Sequence, residues 1–473
     1  MKGAGADALA GAPAGSAGLS AAMCATLAAV TYADVPPAAR TAARHALLDA
    51  SGVMLAASGQ SADVAPFIRV AQRGGPGPCA ILGTGHSSGP ALAALANGAM
   101  AHALDYEDAF DAAPGHPNAS LVPALIALAQ SDGPVDGRHF LTSLAVGGDF
   151  ACRMALALRR DMALGGWYPP PMLAAFGAAV GCAHLLRLPA AAMCDALSLM
   201  LCQAVAPGQI THSATGIIRA VREGFPAQAA VNAALLAREG VRGFDAPIEG
   251  AGGFYALYAN GCYDPAVLRA GLGQHYWTAE LTFKPWPSCR GTHPFIEMAL
   301  ALRAQHGFCA QDVASIAVDV DDVQTMLTSP AARKCAPATV IDAKFSIPFA
   351  LALALVRGRV ALDDFCVDAL GDAALLDMAA RVQARVAPRP GWQRGSGGAM
   401  RVMLRDGRVL DAAQDDALGC PARPLSPARL TEKFVDCVGR AARPIPPDIA
   451  RALAARVLCV DDCADVGALF AAG

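Results

Sequence analysis

The hydrophobic period of this chain switches once past its middle and switches back near its end, and that double change limits the possible folds more than any single motif. From about Leu19 to Leu272 apolar residues recur at three-to-four spacing. They are punctuated at Pro36-Pro37, Gly74-Gly75, Pro114-Gly115, Asp132-Gly133-Pro134 and Pro169 to Pro171, the pattern of packed helices. Between roughly Lys284 and Gln414 the residues alternate instead. Ile316, Val318 and Val320 form one such run, and Met400, Val402 and Leu404 another that enters the hairpin signal Asp406-Gly407. After Leu425, Ser426-Pro427 reads as a helix cap followed by a first-turn proline, and helical spacing returns to about residue 469. The expected fold class is mainly α: a large all-helical domain built from the N- and C-terminal parts, with an inserted smaller α/β lid domain. Residues 1–18 are expected as a disordered Ala/Gly-rich tail and 19–278 as the helical domain. The lid spans 279–424, and 425–473 form helices that rejoin the helical domain.

Composition narrows the function classes. Hydrophobic residues make up 54% but aromatics only 6%, which favours closely packed alanine-rich helices over a β-sandwich. A net charge of −3 leaves no basic surplus for nucleic acid or anionic lipid. The longest apolar stretch, Met172 to Ala206, is broken by Gly177, Gly181, His184, Arg187, Pro189 and Asp195, so no membrane span is expected. The first 18 residues lack a basic start and an apolar run, and the 15 scattered cysteines form no CxxC pair. Together these features read as free or buried thiols in a cytoplasmic protein, with packing as the role of the Cys459/Cys463 pair.

Motifs for phosphate, dinucleotide or metal binding are missing, so neither metal nor cofactor is expected. Gly85-His86-Ser87-Ser88-Gly89 matches a nucleophile elbow in letters. Its helical surroundings instead make it a flexible loop. Polar groups set among apolar residues are more informative. His102 and Asp105 share a face if their helix continues, and the short following loop turns His116 back toward Asp105, giving a carboxylate and an imidazole in one corner. The alternative is that Asp105 and Asn118 only cap, with Glu107 and Asp108 as solvated loop charges. Lys284, Arg290 and His293 fall within ten residues at the change of period, where a carboxylate clamp would sit, although cations near a linker are commonly solvated. Ser346 reads as a helix cap, with Lys344 pairing to Asp342 at the surface.

Four segments in this order carry a resemblance: NGAMAHALDYEDAF with HPNAS, GWYPPPMLAAFGAAVGCAHLL, FKPWPSCRGTHP, and DAKFSIPFALALAL with GRVALDDF. The chain resembles the MmgE/PrpD family, which includes 2-methylcitrate dehydratase, cis-aconitate decarboxylase and iminodisuccinate epimerase. The resemblance implies a homodimeric enzyme with a cleft between helical domain and lid and no obligatory metal. It further implies Asp105, His116 and Lys284 as catalytic residues, with His293 matching a second histidine of the lysine segment. The chain departs from the family pattern at Tyr168 and Cys289 in place of histidines, Arg219 in place of lysine and Ala109 in place of threonine.

Tyr168 joins the catalytic set as a proton donor, and Arg219, Arg290, His293, Cys289 and His102 are the expected substrate-binding residues. The implied reaction is proton transfer at a carbon next to a carboxylate. A cofactor-independent hydro-lyase acting on a 2-methylcitrate-like polycarboxylate is the leading expectation. An epimerase of an iminodisuccinate-like dicarboxylate and a catalytically inactive metabolite-binding paralogue are the alternatives.

Overall fold

A computed structural model describes residues 18–113, 115–213, 215–392 and 394–471; the expected tail, apart from Gly18, lies outside the described residues. The fold is mainly α. Prolines open many of the long helices, where their missing N–H costs nothing and their fixed φ suits the first turn: Pro37–Gln60, Pro90–Ala103, Pro117–Ser131 and Pro169–Leu185. Small residues then let backbones approach. Where Gly137–Leu156 crosses Pro169–Leu185, a Cβ on Gly147 would lie 2.7 Å from the Gly177 carbonyl oxygen, and one on Gly177 would lie 2.5 Å from that of Gly147. Pro90–Ala103 meets Gly224–Arg238 in the same way, since a Cβ on Gly98 would come within 2.7 Å of the Glu223 carbonyl. That second crossing matters for function. It brings the start of one helix, with Arg222 and Glu223, against the end of another that carries His102.

The larger sheet has strand order β4-β3-β5-β6, with β3 (Val313–Val320), β4 (Val382–Val386), β5 (Gly398–Leu404) and β6 (Val409–Gln414). β3 runs parallel to β4 and antiparallel to β5, in a register that pairs Ile316 with Val402 and Val318 with Met400. Those residues are buried on one face, and the His293–His306 helix packs against β5 and β6. Gly407, at φ +90, makes the turn into β6. The Pro427–Val438 helix returns to pack on Pro37–Gln60.

Two local expectations are corrected. The GxSxG segment is a short antiparallel hairpin, β1 (Cys79–Ile81) with β2 (His86–Ser88), instead of a loop. The helix bearing His102 stops at Ala103, so Asp105 does not share its face. No helix among the described residues is long and apolar enough to cross a membrane.

Candidate active site

Asp105 sits at φ +49, a left-handed conformation that costs a side-chain-bearing residue about 1 kcal/mol and turns the chain sharply off the helix end. The turn presents both the carboxylate and the carbonyl of Asp105 to Lys284, whose Nζ lies 2.7 Å from Oδ1 and 3.0 Å from the carbonyl oxygen. Two reciprocal backbone bonds, Ala109 N–H to the Thr282 oxygen at 2.9 Å and Thr282 N–H to the Ala109 oxygen at 2.8 Å, align the two segments. Lys433 pins them from behind. Its ammonium donates to the Tyr106 oxygen at 2.7 Å and the Lys284 oxygen at 3.0 Å, and it pairs with buried Asp49 at 2.6 Å. Burial alone would lower the Lys284 pKa, but the Asp105 and Glu107 carboxylates outweigh it and raise the value, so the ammonium stays charged. Replacing Lys284 with Met leaves Asp105 buried without its counter-ion. The expected result is a loss of roughly 3–5 kcal/mol of stability, read as a lower Tm in thermal unfolding.

Glu107 and Asp108 are not solvated loop charges; both are fully buried. His116 Nδ1 lies 3.1 Å from Glu107 Oε1 and 2.9 Å from the Asp108 carbonyl oxygen. Both oxygens accept, so Nδ1 carries the ring proton and Nε2 presents its lone pair. His102 is bound on both sides, by Glu107 Oε1 at Nδ1 and by the Arg222 guanidinium at Nε2. Burial, with help from Lys284 and Arg222, pushes both imidazoles well below their ordinary pKa, so both are neutral near pH 7. The Asp108 carboxyl, buried among other carboxylates, is pushed up to about 8 and accepts from Asn118 at 3.1 Å. The partner of His116 is therefore Glu107, while Asp105 is committed to Lys284.

Two cations close by, Arg219 and Arg222, act electrostatically on His102. Arg219 is 7% exposed, and its Cζ stacks 3.5 Å from the centre of the Phe345 ring. Its Nε and Nη2, the two donors on one edge of the guanidinium fork, have no hydrogen-bond partner among the described residues. That edge is shaped for a bidentate carboxylate. Arg219 lines a narrow crevice with Ser213, Arg333, Thr339 and Asp342, and the lining includes none of Asp105, His116, Lys284 and Tyr168. Tyr168, half-buried at the start of the Pro169–Leu185 helix, has its ring centre 5.1 Å from the Arg222 guanidinium carbon. A larger crevice lies elsewhere, around Tyr32, Arg138 and His184, and contains none of these residues.

The lysine segment divides into reactive and bracing parts. Arg290 spends its fork on Asp111 at 3.0 Å and on the Leu418 and Ala417 oxygens at 2.8 Å each. His293 donates from Nε2 to the Ser288 oxygen at 3.1 Å and has Nδ1 facing Arg290 at 3.4 Å. Both hold the loop in place of the substrate clamp expected from spacing. Burial raises the Cys289 thiol pKa and keeps it protonated. Lys344 is not at the surface and does not pair with Asp342, which binds Arg333 at 2.9 Å and Lys334 at 3.4 Å. It is buried, donates to the Pro287 oxygen at 2.8 Å, and its carbonyl accepts from Cys289 N–H at 3.0 Å. Ser346 does cap its helix, accepting from Phe349 N–H at 3.0 Å.

Side-chain donor atoms of His102, Asp105, Glu107 and His116 lie within 4.8 Å of one another. The Lys284 ammonium and Arg222 guanidinium are already hydrogen-bonded into that group, so its carboxylates are compensated by fixed cations and it reads as an acid–base set.

The MmgE/PrpD N-terminal domain matches residues 11–264 and the MmgE/PrpD C-terminal domain matches residues 286–457, together most of the chain. The chain belongs to the MmgE/PrpD family. Among its relatives, the cis-aconitate decarboxylase-like protein oryM of Aspergillus oryzae is 26% identical over 463 residues, 93% of each chain. Cis-aconitate decarboxylase of Aspergillus terreus is 25% identical over 77% of this chain and 78% of its own. The Homo sapiens enzyme of that name is 24% identical over 73% and 72%. This MmgE/PrpD protein is accordingly an enzyme of the lyase type. Glu107, Asp108, Arg222, Lys344 and Lys433 were missed by sequence reasoning. Only Arg222 left a usable signal, three residues after Arg219 and so on the same helical face.

Proposed function

We propose that the protein is a lyase of a small polycarboxylate, working without a cofactor, and that its reaction is dehydration of a 2-methylcitrate-like hydroxy acid. The observation that carries this reading is His116: neutral, with its proton fixed on Nδ1 and its Nε2 lone pair available as a base. A substrate carboxylate takes the open Nε/Nη2 edge of Arg219. His116 Nε2 removes the proton from the carbon next to a carboxylate, and the electron pair gathers on that carboxylate, where Lys284 lowers its energy. The C–O bond to the adjacent hydroxyl then breaks as the alkene forms, and the hydroxyl leaves as water with a proton from Tyr168. The reading includes the homodimer and a cytoplasmic setting, the latter supported by fifteen free thiols.

Decarboxylation is the second reading, favoured by the names of the relatives. It needs a proton delivered to carbon, and the one proton of the resting His116 sits on Nδ1, held by Glu107 and the Asp108 carbonyl. Proton NMR in D₂O with citrate, 2-methylcitrate, cis-aconitate and iminodisuccinate separates the cases. A new vinylic signal with loss of the hydroxyl supports dehydration; release of carbon dioxide overturns it in favour of decarboxylation; deuterium entry with inversion points to epimerisation. Arg219→Ala is expected to raise KM about 10- to 100-fold, the worth of a charge-assisted hydrogen-bond pair, and an unchanged KM would remove Arg219 from the binding site.

A further inference from the structure

We propose that Arg222, His102 and Glu107 form a fixed chain behind His116 that sets its orientation and proton affinity, so that His102 is a positioning residue and not a substrate contact. The inference rests on His116 being the base of the proposed reaction.

The chain begins in the helix crossing. Ser120 donates to Glu223, and Glu223 Oε1 lies 3.1 Å from Arg222 Nε. Arg222 Nη1 donates to the Arg219 carbonyl at 3.0 Å and to His102 Nε2. A guanidinium only donates and does not lose its proton in a protein, so His102 Nε2 must be the accepting nitrogen and Nδ1 must carry the hydrogen. That hydrogen is given to Glu107 Oε1, the same oxygen that faces His116 Nδ1. From Arg222 through His102 to Glu107 the donors point one way. No proton can travel along the chain to Arg222, so it acts as a strut and a source of charge, not as a wire. When His116 Nε2 takes a proton, the new positive charge faces a carboxylate that His102 prevents from turning away.

The charged and titratable groups that bear on His116 are Glu107, which raises its proton affinity, and Lys284, His102 and Arg222, which lower it; Asp105 lies within 4.8 Å. Arg222 and Glu107 therefore oppose one another across His102. The arrangement keeps the base neutral at rest yet stabilises its protonated form where the carboxylate sits. Arg222 also binds the carbonyl of Arg219, so one residue fixes both the base and the carboxylate-binding guanidinium.

The test uses ¹⁵N-histidine NMR on the full chain, with His102 assigned through His102→Gln, and pH profiles of kcat/KM. The expected wild-type result is a His102 protonated at Nδ1 that stays neutral well below its ordinary pKa of 6.5. Arg222→Met should give a mixture of His102 tautomers, a kcat at least 10-fold lower and an acid limb moved to higher pH. Arg222→Lys, which keeps a donor and the charge, should recover most of the tautomer preference and kcat even if Arg222→Met folds poorly. A wild-type His102 protonated at Nε2, or an Arg222→Met protein with unchanged tautomer and pH profile, overturns the chain. Absence of turnover by the wild type on every acid would count against the proposed reaction instead, since the tautomer measurement does not depend on it.

Discussion

His116→Ala is expected to lower kcat/KM by about 10²- to 10⁴-fold while leaving Tm nearly unchanged, because the lost group is a general base at the edge of the buried cluster. The ring has one nitrogen without a hydrogen-bond partner among the described residues and one committed to Glu107 and the Asp108 carbonyl, so little else in the fold hangs on it. The same lysate-free protein should show a distinctive pH profile before mutation. Burial holds His116 well below 6.5, so the wild-type acid limb lies well below that value and activity is flat around pH 7. The variant should lose that limb. Stability follows the same sign. A histidine kept neutral in the fold but ordinary when unfolded costs stability as pH falls below 6.5, because the unfolded chain gains a proton the native one refuses. Imidazole added to His116→Ala should restore part of the rate. A fall of less than 3-fold in kcat/KM would remove His116 from the proton-transfer step and with it the dehydration mechanism.

The mainly α class follows from periodicity because the pattern extends over long segments, and the alternating residues 316–320 and 400–404 lie in β3 and β5. Chain polarity was less accessible. That β3 pairs with β4 in parallel and with β5 antiparallel depends on helices between them, which alternation alone does not order. In the site, sequence spacing puts Asp105 and His116 in one corner and the family resemblance adds Lys284, whereas the structure pairs Asp105 with Lys284 and His116 with Glu107. The helical-face argument linking His102 to Asp105 assumes a helix that continues, and Asp105 leaves it in a left-handed turn that no spacing rule foresees. Glu107 and Asp108 look like surface charges because carboxylates seldom bury; here two imidazoles hold Glu107 and Asn118 donates to Asp108. Arg290 and His293 have the composition of an anion clamp, yet backbone carbonyls more than a hundred residues away, Ala417 and Leu418, claim the arginine. Long-range partners of that sort are invisible to a local reading.

Lys344→Met is expected to stabilise the protein at pH 7 and to impair catalysis together. The lysine is buried with one carbonyl partner, Pro287 at 2.8 Å, and the Phe365 ring centre 4.5 Å away, and no carboxylate within ion-pair distance among the described residues. Burial, reinforced by the neighbouring Lys284, drives its pKa down to about 7 against the partial opposition of Asp105 and Glu107. A base whose folded pKa is lowered weakens the fold wherever the unfolded chain would hold the proton. Wild-type stability from this group therefore rises as pH climbs from about 7 toward the ordinary lysine value, and the deficit at pH 7 is on the order of 4 kcal/mol. Methionine fills similar space without the charge but forfeits a hydrogen bond worth about 1 kcal/mol, so Tm at pH 7 should rise by a few degrees. The gain should shrink with increasing pH and vanish near pH 10. Catalysis should move the other way, with kcat about 10-fold lower, because the amine and carbonyl of Lys344 grip the turn from Pro287 to Cys289 that follows Lys284. A Tm difference that does not change between pH 7 and 10 would show that Lys344 is not held neutral. A stabilised variant with full activity would show that the grip on that turn is dispensable, and a stability cost of this size would then have no functional return to explain it.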